Sequence, residues 1–300
     1  MDLKICLQKI RSFKWNKLFD LITTKLSRMM GDVSYLKFKY LITFKEYLNL
    51  ERPSGFNEKL NWLKLNHRNP MFTMMVDKYW VKSYVADIIG SEYIVPCYGY
   101  WQNCNDIDFD SLPDKVFLKS THDSGGGLLV DKTKGIDYRA IRRRFNKKTL
   151  NRKNWYWHLR EWPYKHVEPG IIAEEYLDEG TGHELHDYKF YCFNGIPTYM
   201  YITNKGRHIY ENYYDMNFVP VDISHGYERR IPEYEVPENF EKMKELATVL
   251  SQGHPFIRID FFNINGKLYF GEFTFYDWGG MKPLNRKWEK MLGDLIDLNR

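Results

Sequence analysis

Residues 256–274 constrain this chain more than any other stretch. Two strand-forming runs, Phe256–Phe262 and Lys267–Thr274, flank Asn265-Gly266. Asn-Gly between apolar runs is a strong hairpin signal. The runs carry Arg258, Asp260, Glu272 and Thr274 among isoleucines and aromatics. A two-residue loop at Asn265-Gly266 pairs Ile264 with Lys267 and sends Asp260 and Glu272 to opposite faces. A three-residue loop, Ile264-Asn265-Gly266, puts Gly266 at a left-handed bulge position. It pairs Asp260 with Phe270 and Arg258 with Glu272, and gathers Arg258, Asp260, Glu272 and Thr274 on one face. The second register is the expectation. Two carboxylates and a cation on an otherwise aromatic face are costly unless they serve a purpose. One reading is a Mg²⁺ site, because hard oxygens one strand spacing apart suit an ion that keeps waters and borrows phosphate oxygens. The other is a buried Arg258–Glu272 ion pair with Asp260 as a cap.

Two further motifs admit a chemical and a plain reading. Lys119 ends the strand Val116-Phe117-Leu118-Lys119, and Ser124-Gly125-Gly126-Gly127 follows before a second strand, Leu128-Leu129-Val130. A strand lysine with bare glycine N–H groups beyond it suits phosphate, although the order is neither Walker A nor protein kinase. The plain reading is a flexible hairpin tip. The strand Ile171-Ile172-Ala173 runs into Glu174-Glu175-Tyr176-Leu177. Carboxylates there would hold an adenine amine and a ribose hydroxyl, or simply face solvent.

The rest of the chain narrows the class. An apolar fraction of 43% excludes a mostly disordered chain, and 17% aromatics suffice to line a cleft as well as a core. Cys6, Cys97, Cys104 and Cys192 match no zinc or disulfide spacing, which suggests reduced thiols and a cytoplasmic setting. The histidines fall into no zinc-ligand pattern. No apolar run is long enough to span a bilayer. Residues 1–50 read as a basic helical segment, either packed on its own domain or touching the inner membrane face. Arg142, Arg143, Arg144, Lys147, Lys148, Arg152 and Lys153 form a second basic run. A solvated helix face explains it best, an acidic glycan or lipid headgroup next, and nucleic acid least, since the aromatics follow the charges without interleaving.

Helical periodicity covers Phe56, Leu60 and Leu63, then residues 71–89 with Gly90 as C-cap. A short strand is expected at Tyr93–Pro96, further strands at 187–193 and 197–203, a helix over 238–252 and a terminal helix from 284. This order is α+β rather than a βαβ series.

The succession of Lys78 in Val76-Asp77-Lys78, Lys119 with its glycines, Glu174-Glu175, Lys189 and the Arg258/Asp260/Glu272/Thr274 hairpin resembles the ATP-grasp superfamily. Within it, Phe56–Lys64, Val76–Tyr79, Val116–Lys119 and Tyr269–Phe275 are most similar to the TupA-like group, tied to teichuronopeptide and other surface polysaccharides. The resemblance covers roughly residues 50–290. It implies an ATP-grasp fold, with two α+β lobes clamping ATP and a helical N-terminal region. The implied division is residues 1–50, an N-terminal lobe over 51–112, a small lobe with a glycine-rich lid over 113–175, and a metal-bearing lobe over 176–300.

It also implies an ADP-forming carboxylate–amine ligase working through an acyl phosphate. Lys78 and Lys119 would contact ATP phosphates and Ser124, Gly125, Gly126 and Gly127 would cover them. Glu174, Glu175 and Leu177 would sit at adenine and ribose, and Lys189 would add a nucleotide contact. Asp260 and Glu272 would hold one or two Mg²⁺, with Thr274 where the superfamily usually has Asn. Arg258, with Lys119, would serve the phosphoryl transfer. Asp277, Trp278, Gly279 and Gly280 would line the acceptor side. The partners implied are an amine or amino acid and a sugar bearing a carboxylate or amine, with no nucleic acid. Two rival readings are phosphoryl transfer to a hydroxyl and a non-catalytic ATP- or glycan-binding protein at the membrane face.

Overall fold

The computed structural model describes residues 27–122, 127–150, 156–178, 185–204 and 208–299. The start of the basic N-terminal segment, and Ser124, Gly125 and Gly126, lie outside the described residues. What is described of the first segment packs on its own chain. Helix α1 (Asp32–Phe44) buries Leu36 and Tyr40 in a small cluster with Leu48 and Met281. The Tyr35 hydroxyl donates to the His158 carbonyl at 2.8 Å. Among the described residues no helix is long and apolar enough to cross a membrane.

Helix α2 (Phe56–Asn66) starts where the Glu58 carboxylate turns back to accept the Ser54 and Gly55 N–H groups at 2.9 and 3.2 Å. That contact satisfies donors a helix start leaves orphaned. The expected helix over 71–89 is two helices, α3 (Met71–Val76) and α4 (Trp80–Ile89). Asp77 divides them. Its backbone is extended and its carboxylate accepts the Tyr79 and Trp80 N–H groups at 2.8 and 3.2 Å, so it caps α4. Gly90 follows α4 at φ 112°, as its C-cap role requires. The strand expected at 93–96 lies further on, at β1 (Cys97–Trp101), because Pro96 has no N–H to enter a ladder.

Strands β2 (Lys115–Ser120) and β3 (Leu128–Asp131) form the expected hairpin. Helices α5 (Tyr138–Leu150) and α6 (Tyr156–Leu159) lead to β4 (Ile171–Glu175). β1, β4, β2 and β3 make one antiparallel sheet in that order. Ile141 and Phe145 of α5 join its core, while Arg142, Arg143 and Arg144 stay exposed. The described part of the basic run is therefore a solvated face over an apolar stripe.

The second sheet has the order β10-β9-β5-β6-β7-β8 and is antiparallel throughout. Its strands are β5 (His186–Phe193), β6 (Ile196–Asn204), β7 (Glu211–Asp215), β8 (Pro220–Val221), β9 (Phe256–Ile264) and β10 (Lys267–Thr274). Helix α7 (Phe240–Leu250) joins the core with Phe190, Ile257 and Ile259 on one face. Phe56 of α2 meets Tyr191 and Phe256 on the other, with ring centroids 6.0 and 5.1 Å apart. The same face carries Arg258, Asp260, Lys189, Glu272 and Thr274. Helix α8 (Arg286–Leu295) follows, seeded by the Asn285 cap on Trp288 N–H at 3.0 Å.

The hairpin register differs from expectation. Ile264 pairs with Lys267, so the loop is the two-residue Asn265-Gly266, both left-handed at φ 51° and 77°. The irregularity falls between Phe270 and Glu272, where Gly271 is extra. Below it Asp260 pairs with Glu272 and Arg258 with Thr274. The bulge at Gly271 restores to one face the four residues that a straight two-residue hairpin would have divided.

Candidate active site

That register starts a polar row across the large sheet. Glu272 pairs with Asp260, Asp260 with Lys189, Lys189 with Tyr201, and Tyr201 with Tyr213. The row opens on a cleft of about 810 Å³ that is also lined by Lys78, Lys82, Lys119, Glu174 and Gly127 from the small-sheet side.

Arg258 is the centre of the large-sheet wall. Its Nε and Nη2 donate to the two Asp260 oxygens at 2.7 and 2.8 Å. Nη2 also reaches Glu272 at 3.2 Å, and Nη1 donates to Asp277 at 2.5 Å. Burial works against the charge, but Asp260, Tyr201 and Asp277 hold the guanidinium's pKa well above its usual value. Burial likewise pushes Asp260 up, and Arg258 with Lys189 outweighs it, so the carboxyl titrates below the usual range. Lys189 pairs with Asp260 and, at 3.4 Å, with Asp187, which together raise it despite burial.

On the opposite wall Lys119 pairs with Glu174, whose other oxygen lies 2.6 Å from Lys82. Burial acts to raise Glu174, but the two ammoniums outweigh it and lower its pKa. Lys78 sits in the break between α3 and α4, its N–H on the Thr121 carbonyl at 3.2 Å. Glu175, next along β4, is half-buried and off the cleft lining. Leu177 packs with Val95, Ile264 and Phe262, the last a cleft residue. Gly127 lies on the cleft wall and its carbonyl accepts from Arg144 at 3.0 Å.

The expected acceptor segment divides. Trp278 and Gly279 line the cleft. Asp277 is turned away from it, buried between Arg258 and the Tyr191 hydroxyl at 2.6 Å, with His225 Nε2 at 3.6 Å. Its place is to hold Arg258. Gly280 is buried behind the turn. Trp278, Gly279 and Gly280 all have left-handed backbones. Asn57, Asn61 and Lys64, one polar stripe of α2, hold this turn. Asn61 Nδ2 donates to the Gly280 carbonyl at 2.8 Å, and the Lys64 ammonium donates to the carbonyls of Gly279 and, at 2.9 Å, of Leu159. Sequence reasoning missed this stripe, together with Lys82 and the cleft-lining Glu161. Its one local trace is the i, i+4, i+7 spacing of Asn57, Asn61 and Lys64 along α2.

Asp260 and Glu272 present hard oxygens on adjacent strands. No group of three His, Cys, Asp or Glu suited to a metal stands among the described residues. Mg²⁺ held here would complete its shell with the Thr274 hydroxyl, waters and nucleotide oxygens, which suits its chemistry. A Cβ on Gly271 would lie 3.0 Å from the Asp260 carbonyl oxygen and 3.3 Å from Asp260 Cβ. Gly271→Ala is therefore expected to lower stability by about 1–3 kcal/mol through overpacking, read as a lower urea midpoint at unchanged slope.

The profile of the family described as TupA-like ATP-grasp matches residues 58–297. No curated protein matches the chain. Among solved structures it is similar to D-alanine–D-alanine ligase from Helicobacter pylori, at 15% identity, TM-score 0.44, over 81% of this chain and 70% of that one. It is also similar to the ATP-grasp ligase PsnB complexed with its minimal precursor (11%, TM-score 0.44, 80% and 67%). A third is the D-cycloserine synthetase DcsG (12%, TM-score 0.42, 75% and 70%).

Proposed function

This chain belongs to the TupA-like ATP-grasp family, and on that premise we propose that it is an ATP-dependent carboxylate–amine ligase. It would join an amino acid or simple amine to a sugar unit of a surface polysaccharide. One observation carries the nucleotide site: Lys78, Lys119, Lys189 and Arg258 converge on the same cleft as the cross-strand pair Asp260–Glu272. Phosphoryl transfer demands positioning and charge neutralisation rather than a covalent nucleophile, and this set supplies both.

Lys119 leaves Glu174 to meet a phosphate, and Lys78 reaches the phosphates from the same wall of the cleft. Glu174, freed of one cation, is then available to the adenine amine. Glu175 and Leu177 continue that edge, and the glycines from Ser124 to Gly127 cover the phosphates. Mg²⁺, when bound, would supply charge neutralisation at the transferring phosphoryl group. Asp260, Glu272 and Thr274 would hold it, and Lys189 and the Arg258 nitrogens that now bond Asp260 and Glu272 would turn to phosphate oxygens. Arg258 keeps its orientation through Asp277 and stabilises the charge that develops as a substrate carboxylate takes the γ-phosphoryl group. Trp278 and Gly279 form the wall nearest the acceptor.

Calorimetric titration with AMP-PNP tests the nucleotide site. Wild type should bind only with Mg²⁺ present, and Lys119→Ala should weaken binding by about tenfold to a hundredfold, the loss of one charge-assisted contact. Equal affinity with and without Mg²⁺, or an unaffected variant, would remove the assignment. ADP release that requires both a carboxylate and an amine would separate a ligase from a hydroxyl phosphotransferase.

A further inference from the structure

We propose that Glu161 is the general base that takes a proton from the amine partner before it attacks the acyl phosphate; this rests on the ligase reading above. The backbone delivers Glu161 to the cleft by an unusual route. Arg160 before it has a left-handed backbone at φ 57°. A non-glycine residue held this way is strained and persists only where its surroundings over-determine it. Here they do. The Arg160 guanidinium is 1% exposed, lies 4.7–4.9 Å from the ring centroids of Tyr35, Tyr156 and Trp157, donates to the carbonyls of Ser27 and Met30, and pairs with Asp32 at 3.1 Å.

The same segment is tied to the acceptor-side turn. The Lys64 ammonium joins the carbonyls of Leu159 and Gly279. Leu159 also fills the space over Gly279, where a Cβ would fall 2.4 Å from its Cδ1. Glu161 therefore lines the cleft beside the turn that follows the metal hairpin.

The other carboxylates of this reaction centre are committed. Glu174 keeps Lys82 when Lys119 moves to phosphate, Asp260 and Glu272 would pass from Arg258 and Lys189 to the metal, Asp187 pairs with Lys189, and Glu211 accepts from the Tyr213 hydroxyl. A carboxylate clasped by a cation is a poor proton acceptor. No hydrogen bond or ion pair engages the Glu161 carboxylate among the described residues. Burial raises its pKa, Lys64 and Arg258 oppose the rise, and Glu272 and Asp277 add to it. The Tyr276 phenol faces it as well, its own pKa raised by burial and by Glu161. A base poised near the operating pH is what this step requires.

The step balances as follows. The amine arrives as R–NH₃⁺ and passes one proton to Glu161. The freed lone pair forms the C–N bond at the acyl carbon. The bond from that carbon to the phosphate oxygen breaks, and phosphate leaves with the electron pair and takes the second nitrogen proton.

The test compares wild type and Glu161→Gln with Mg-ATP, using D-glucuronate, D-galacturonate and L-glutamate as carboxylate probes. Each is paired with hydroxylamine, already a free base at neutral pH, or with glycine, L-lysine or D-glucosamine. Glu161→Gln should slow amide formation by about a hundredfold or more while hydroxamate formation stays within about threefold. Equal losses, or none, overturn the assignment. An infrared titration needs no substrate: a carboxyl band with a midpoint at about 7 should be present in wild type and missing from the variant. A Glu161 band titrating in the ordinary carboxylate range overturns the base assignment alone. Absence of hydroxamate from wild type with every probe overturns the ligase reading, and this assignment with it.

Discussion

Arg258→Ala should lower the unfolding free energy by about 3–5 kcal/mol, because it strips the counter-cation from two buried carboxylates. Asp260 and Asp277 are 2% and 1% exposed, and Arg258 bonds to both. Lys189 still reaches Asp260, while Asp277 keeps only the Tyr191 hydroxyl and the more distant His225. Urea denaturation of wild type and variant reads the loss directly. Its pH dependence is a second handle. The folded pKa of Asp260 lies below its usual value of 3.8. In wild type the pairing thus contributes stability that is fully present above pH 3.8 and lost as pH falls through the folded value. Without Arg258 that contribution is diminished, so the deficit should be largest at neutral pH and shrink in acid. A deficit under 1 kcal/mol at neutral pH would mean that the guanidinium does not carry this charge balance.

Asp260→Asn is expected to have the largest effect on turnover. Substrate-dependent ADP release should fall about a thousandfold, roughly 4 kcal/mol of lost transition-state stabilisation. The variant keeps the shape of the side chain and loses one of its two strong acceptors for Arg258 and Lys189, so protein stability should fall as well. AMP-PNP titration separates the effects: the variant, once confirmed folded by circular dichroism, should lose the Mg²⁺-dependent part of its affinity. Undiminished Mg²⁺-dependent binding would sink the placement of the ion on Asp260. Glu272→Gln should follow the same pattern more weakly in stability, since its side chain is 40% exposed and it shares Arg258 at 3.2 Å.

The closing hairpin shows what sequence patterning can and cannot reach. Both strands and the face shared by Arg258, Asp260, Glu272 and Thr274 were legible, because a period of two survives any register that contains one bulge. The position of the bulge was not. Asn265-Gly266 satisfies a two-residue turn by itself, and the extra residue moves to Gly271, where the backbones approach too closely for a side chain. Apolar spacing runs straight through Asp77 and makes it look helical. Its capping bonds to Tyr79 and Trp80 decide otherwise. Asn61 and Lys64 stay hidden for a different reason, since their partners are distant in the chain, and Glu161 is brought to the cleft only by the packing of its neighbours. The Lys64 contacts to Leu159 and Gly279 span 95 and 215 positions. The polar spacing along α2 marks the stripe, but nothing local names its partners.

The buried Arg160 guanidinium bears on where this protein should be cut. The region of family similarity begins at residue 58, yet Arg160 spends its donors on Ser27, Met30 and Asp32. The unit of homology is thus smaller than the unit that folds. A fragment trimmed to the shared region would strip a fully enclosed cation of these partners, one residue away from the cleft-lining Leu159 and Glu161. Variation among relatives in the stretch before residue 58 should then track the residue at position 160, and grafting the shared region between relatives should succeed only when the leading helix travels with it.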